Sequence, residues 1–151
     1  MPRILIADTS CLIVLTKIGE LDLLRQVYGS ISTTPDVAAE YGEALPTWVE
    51  VASVQDSYKQ LLLEMQLDKG EASAIALALE MPGSTLILDD YKARKVARRL
   101  GLALTGTVGI LVKAKLKGII PSIKPLLVKI KQTNFRVSAE LELQALREAG
   151  E

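Results

Sequence analysis

Five acidic residues stand where a carboxylate can do chemistry: Asp8, Glu40, Glu71 and the adjacent Asp89 and Asp90. Asp8 closes the apolar run Arg3-Ile4-Leu5-Ile6-Ala7, and Asp89-Asp90 close Thr85-Leu86-Ile87-Leu88 in the same way. Carboxylates gathered in one crevice are costly, since two of them about 4 Å apart repel by roughly 4 kcal/mol at an effective dielectric near 20. Such a group demands a cation or protons. Oxygen-only ligands at an irregular, partly open site suit Mg2+ or Mn2+, which retain waters for substrate oxygens to displace. The chemistry that follows is metal-assisted hydrolysis of a phosphodiester: the ion lowers the pKa of a bound water, aligns it, and stabilises charge on the phosphate and leaving oxygen.

Composition narrows the alternatives. The chain has no histidine, which removes the commonest general base and the imidazole metal ligands. Its single cysteine, Cys11, allows no internal disulfide and no zinc or iron–sulfur spacing, which points to a cytoplasmic protein. A haloacid-dehalogenase-like phosphatase also begins with a strand ending in aspartate, but it needs a second aspartate two positions on, where this chain has Ser10. Each acid also has a plainer reading. Asp8 can cap the next helix, Glu40 can be a solvated helix residue, Glu71 can complete a capping box with Asp68, and Asp89 or Asp90 can cap the helix beginning near Lys92.

The elements that must position these acids alternate in kind. Buried parallel strands are predicted at Arg3–Ala7 and Thr85–Leu88, with shorter ones at Ser30–Ser32 and Ala103–Thr105 and an edge strand within Trp48–Val54. Helices are predicted from Cys11 to Ile18, from Leu21 to Tyr28, after the Thr34-Pro35 opening as far as Gly42, and from Tyr58 to Gln66. Further ones follow over Ala72–Leu79, Lys92–Leu100, Val108–Leu116, Ile123–Lys131 and from the Ser138 cap to Ala149. Strands separated by helices imply an α/β fold: right-handed crossovers and a mostly parallel sheet covered on both faces, in one domain over 1–151. Ligands then gather at the carboxyl ends of the strands, where Asp8 and Asp89-Asp90 fall.

Taken in order, Asp8-Thr9-Ser10, Pro35-Asp36-Val37-Ala38-Ala39-Glu40, Gly70-Glu71-Ala72-Ser73-Ala74-Ile75-Ala76 and the strand ending in Asp89-Asp90 resemble the motifs of PIN domains over nearly the whole chain. The sequence most resembles a poorly characterised prokaryotic PIN-like branch. It shares that branch's glycine–glutamate–alanine helix opening, Asp89-Asp90-Tyr91-Lys92-Ala93-Arg94, and Gly101-Leu102 leading to Thr105-Gly106-Thr107-Val108-Gly109-Ile110-Leu111. The resemblance implies a three-layer α/β/α nuclease fold, an Mg2+ or Mn2+ site, RNA as substrate, and kinship with VapC-type toxins held inactive by a small antitoxin protein. It also implies a homodimer. Carried over by motif, Asp8 is the first metal ligand, Glu40 the second acid, Glu71 the third and Asp89 or Asp90 the fourth, with Thr9 or Ser10 ordering the site or a bound water. Two departures stand out: many such toxins carry aspartate where Glu71 stands, and their fourth acid lies in a different local context from Asp89-Asp90-Tyr91.

A nuclease must also hold a polyanion, and Lys and Arg contacts to phosphate supply most sequence-independent affinity. Net charge is zero, yet residues 1–75 carry five Lys/Arg against eleven Asp/Glu, whereas 92–136 carry twelve Lys/Arg and no acid. Lys92, Arg94, Lys95, Arg98 and Arg99 follow directly on the fourth acid and are the candidate phosphate contacts, with Val96 and Leu100 expected to pack inward. Arg94 can equally pair with Asp90 or Glu71 inside the site. Aromatic residues are few, so base stacking is not predicted. No apolar stretch approaches the roughly 20 residues that span a bilayer, so no membrane is expected among the partners.

Overall fold

Ile4-Leu5-Ile6 offers no polar face to water, and in the computed structural model, which describes residues 3–151, it lies in β1 (Arg3–Ile6), the middle strand of a five-stranded sheet. The structure of Met1 and Pro2, with which the expected domain begins, falls outside the described residues. The strand order is β3-β2-β1-β4-β5 and every pairing is parallel. The remaining strands are β2 (Gly29–Thr33), β3 (Val49–Val51), β4 (Thr85–Ile87) and β5 (Ala103–Thr105). Parallel strands need long crossovers, here supplied by helices: α1 (Thr9–Lys17) and α2 (Leu23–Tyr28) between β1 and β2, and α3 (Pro35–Tyr41) between β2 and β3. Between β3 and β4 come α4 (Ser57–Glu64) and α5 (Lys69–Glu80), and α6 (Tyr91–Arg99) joins β4 to β5. The helices α7 (Thr107–Leu116), α8 (Lys124–Lys131) and α9 (Ala139–Glu148) follow.

Alternation along the strands divides the interior in two. Leu5 and Ile87 point into one core with α1, α2, α7 and α8, while Ile6, Leu86 and Leu88 point into the other with α5 and α6. All five side chains are fully buried, and each such burial contributes roughly 1.5–3 kcal/mol. The fold is therefore helix, sheet, helix in three layers. On the second face α5 is buried almost all round, at Gly70 and from Ala72 to Ala78, and its run of alanines lets the neighbouring backbones come close.

The strand order carries a functional consequence. The chain winds outward from β1 to β3, then crosses back over to β4 on β1's other side, so the direction of winding reverses between β1 and β4. At such a switch point the loops leave the two carboxyl ends in opposite directions and open a crevice. Asp8 and Asp89 both follow these strand ends.

Several expected boundaries shift for local reasons. The helix expected from Ala72 begins at Lys69, because Asp68 caps it by accepting the Glu71 amide at 2.8 Å. Glu71 thus lies in the first helical turn. Leu100, expected to pack inward, is 43% exposed, and Ala93 and Ala97 form the buried stripe of α6 instead. Among the described residues no helix is long and apolar enough to cross a membrane.

Candidate active site

Asp8 is held by the sheet and not by the helix it precedes. Ala7 donates its amide to the Ser32 carbonyl at 2.9 Å and receives the Thr33 hydroxyl on its own carbonyl at 2.7 Å. Asp8 then occupies the cap position of α1 in an extended conformation, but its carboxylate accepts no capping bond. It is only 5% exposed. The capping reading of Asp8 fails, and a buried carboxylate is left free for something else.

Asp89 and Asp90 divide their duties. Asp90 caps α6, accepting the Ala93 amide at 2.9 Å. Asp89 reaches across to α7, whose own cap position is Gly106 and has no side chain to offer. It accepts the Thr107 amide at 2.8 Å and the Thr107 hydroxyl at 2.6 Å, one on each oxygen. Gly106 makes this possible, because a Cβ there would stand 3.0 Å from Asp89 Oδ1.

The helix-borne acids are brought up by a buried chain of hydroxyls. Thr34 caps α3 by accepting the Val37 amide and is 2.6 Å from Ser73 Oγ, which donates to the Gly70 carbonyl. Because the Ser73 proton goes to Gly70, Thr34 donates to Ser73. The two helix starts are so locked together that Glu40, near the end of α3, lies over Gly70 in the first turn of α5. A Cβ on Gly70 would fall 2.0 Å from Glu40 Oε1. Only glycine lets that carboxyl settle there.

These groups line one cleft of about 410 Å3, formed by Asp8, Thr9, Ser10, Glu40, Glu71, Asp89 and Asp90 together with Asp68, Ile13, Phe135 and Arg136. Its electrostatics are those of unbalanced negative charge. Burial pushes Asp8 from its ordinary 3.8 up to about 7; the Thr9 amide is the main opposing pull, and the charges of Asp68, Glu40 and Asp89 add to the rise. Burial, then Asp68, Asp90 and Asp8, push Glu71 from 4.5 up to about 8. Glu40 is raised by burial and by Asp68, and Asp89 is raised by burial although Thr107 and Arg94 pull it down. Among the described residues none of these acids has a Lys or Arg within ion-pairing distance.

Comparison with known families gives the setting for this geometry: the DUF3368 model, described as a PIN domain, matches residues 4–151. The chain belongs to the PIN-domain family. PIN domains are generally nucleases, and the family assignment agrees with the parallel sheet and its two helical layers. No curated protein matches the chain.

PIN-domain nucleases typically use divalent cations, and the residues of this PIN domain fit one. The donors are all oxygen, and among the described residues none of them is ion-paired. Thr9 Oγ1 is buried with no hydrogen-bond partner, although the hydroxyl is close enough to Glu40 to lower its pKa slightly. Among the described residues no three of the acids are grouped so that they could hold a metal ion as they stand. The hydrogen bonds explain why: Asp68, Asp89 and Asp90 each spend carboxylate oxygens on helix amides.

The structure brings all five sequence-predicted acids, with Thr9 and Ser10, to this cleft. It separates the basic residues. Half-buried Arg94 and exposed Arg98 line a different cleft beyond Asp89, and Lys92, Lys95 and Arg99, also exposed on α6, line neither. Arg94 makes no ion pair with Asp90 or Glu71, since its Nη1 donates to the Leu88 carbonyl at 2.6 Å. Three participants were missed. Asp68 reads as a mere cap in sequence, Thr107 reads as one more residue of a helix start, and Arg136 is far along the chain from every acid of the cleft. A glycine at the cap position of α7 was the one available hint that another side chain must serve the Thr107 amide.

Proposed function

We propose that this PIN domain is a divalent-metal-dependent endoribonuclease of the cytoplasm, related to VapC-type toxins. The observation that carries the reading is Asp8: a buried carboxylate free of helix bonds, at the switch point of a parallel sheet, with three further acids raising its pKa. A bound Mg2+ or Mn2+ would acidify a water and stabilise charge on the phosphate being cut. Asp8, Asp89, Glu71 and Asp90 are the residues that would hold the ion. Thr107 fixes Asp89, Gly70 seats Glu40 as an outer acid, and Thr9 presents its free hydroxyl between them.

The test is incubation with a mixed RNA pool and Mn2+, comparing wild type with Glu71→Gln. The variant should lose at least about 100-fold, since even outer-shell partners of a metal site are worth roughly 10–100-fold. Undiminished cleavage would take Glu71 out of the site. One observation favours a second reading, a non-catalytic interaction module: Thr107 engages both oxygens of Asp89. Calorimetry with Mn2+ separates the two, because an inactive module that had lost the site would give no binding heat.

The proposed relationship brings a homodimer and a small inhibitory antitoxin with it. Supporting a protein contact, Tyr58, Leu61, Leu62 and Met65 form a stripe on α4 and are 60–80% exposed, where a soluble surface helix would normally turn such a face inward. We assign pairing of two copies to this stripe. Leu62→Lys should then halve the mass measured by sedimentation; a wild type of 16.4 kDa would remove the pairing.

A further inference from the structure

Asp89 borders two clefts. On the side away from Asp8, a half-open cleft of about 530 Å3 lies between α6, β5, α7 and α9, a size within the usual range for small-molecule sites. One wall is apolar, built from Leu104, Val108 and Leu141, with Gln144 beside it, and the other carries Arg94 and Arg98. These two arginines are four residues apart on α6 and therefore share a face. Among the described residues neither has a carboxylate within ion-pairing distance, although Glu148 also lines the cleft. Arg94 uses Nη1 on the Leu88 carbonyl and keeps its other donors. Burial and the Arg98 charge both lower its pKa, against an opposing pull from the Asp89 charge.

The two clefts share Asp89, and Gly106 lies against it on the second side. Its missing Cβ would stand 3.0 Å from Asp89 Oδ1 and 3.4 Å from Arg94 Nη1, so a side chain there would crowd the acid and the guanidinium that meet at the boundary. We propose that this second cleft is a nucleotide subsite for the RNA strand cut in the first: Arg94 and Arg98 bind one phosphate, and its base rests on the wall of Leu104, Val108 and Leu141. The inference builds on the ribonuclease reading and adds to it a defined place for the neighbouring nucleotide. It also separates α6 into a gripping pair and an open face whose lysines act only through their general field.

Binding can be read without cleavage. A fluorescein-labelled ten-residue oligouridylate is titrated in EDTA against wild type, Arg98→Glu and Lys95→Glu, with fluorescence polarisation as readout. Arg98→Glu should weaken binding about tenfold or more, on the scale of one strong specific contact. Lys95→Glu should weaken it less than about threefold, as a screened surface charge does. Equal losses in the two variants would overturn the subsite. An oligomer of abasic sugar-phosphate should bind several-fold more weakly than oligouridylate, and equal binding would overturn the base seat. If these losses appear while Mn2+ never elicits cleavage by wild type, the subsite stands and the ribonuclease reading falls.

Discussion

Asp8→Asn should abolish cleavage and, in the metal-free protein at pH 8, raise the melting temperature. The carboxylate is 5% exposed, and its pKa rises from 3.8 to about 7 on folding. A raised folded pKa means that the native state binds the proton more tightly than the unfolded chain. The stability this proton contributes is fully present below about pH 4 and is lost as pH rises through about 7. At pH 8 the ionised group opposes folding by up to about 4 kcal/mol. Asparagine keeps the shape without the charge, and its amide still has to find partners, so roughly half of that figure should be recovered. For a domain of this size each kcal/mol moves the melting temperature by about 2–4 °C, which gives a rise of roughly 4–8 °C. Calorimetry in EDTA should show the advantage at pH 8 and its disappearance near pH 4. Glu71 has the same sign, with less weight because it is half exposed to solvent.

Added Mn2+ should reverse the order of the two proteins. A ligand at 100 times its Kd stabilises by about 2.7 kcal/mol, and only wild type keeps the ligand set. Cleavage by Asp8→Asn should fall at least about a thousandfold, the scale on which a preorganised charge-stabilising group acts. A variant that melts below wild type at pH 8 would remove the burial argument, and one that still cuts RNA would remove Asp8 from the chemistry.

Gly70→Ala makes the opposite division, leaving the fold alone and disturbing the site. Its Cβ would meet the far end of Glu40 at 2.0 Å, and that side chain is exposed enough to swing away. Alanine is also the better helix former by up to about 1 kcal/mol, so the melting temperature should hold or rise slightly. The displaced carboxyl should lower Mn2+ affinity and cleavage by about tenfold or more. Glu40→Asp in the Gly70→Ala background shortens the acid and should recover part of the loss. Full activity in Gly70→Ala would show that Glu40 need not rest on the helix.

What the sequence made legible was whatever depends on neighbours in the chain. Two apolar runs ending in aspartate announced buried parallel strands, and Thr34-Pro35 and Ser138 announced helix starts that the structure contains. Contacts between distant segments were not legible. Asp68 caps α5 locally, yet its charge also raises the pKa of Asp8, sixty residues away along the chain. Thr107 lies 18 residues from Asp89, and no periodicity announces a hydroxyl that anchors another strand's acid. The placement of β4 beside β1 had to come from three dimensions as well, because alternating strands and helices do not say on which side of the sheet the next strand will lie.

That strand order bears on how such a protein can be made safely. β1, the centre of the sheet, precedes the other four strands in the chain, but it gains its second neighbour only with residues 85–87, and Asp89 is anchored only when Thr107 follows. At 5–20 residues per second, the ribosome takes several seconds to reach that point. A growing chain that has shown only Asp8 and Glu40 has no strand β4, no Thr107 and no second cleft. The proposed catalytic cleft is therefore completed only when β4 and Thr107 have left the ribosome, well after its first acid.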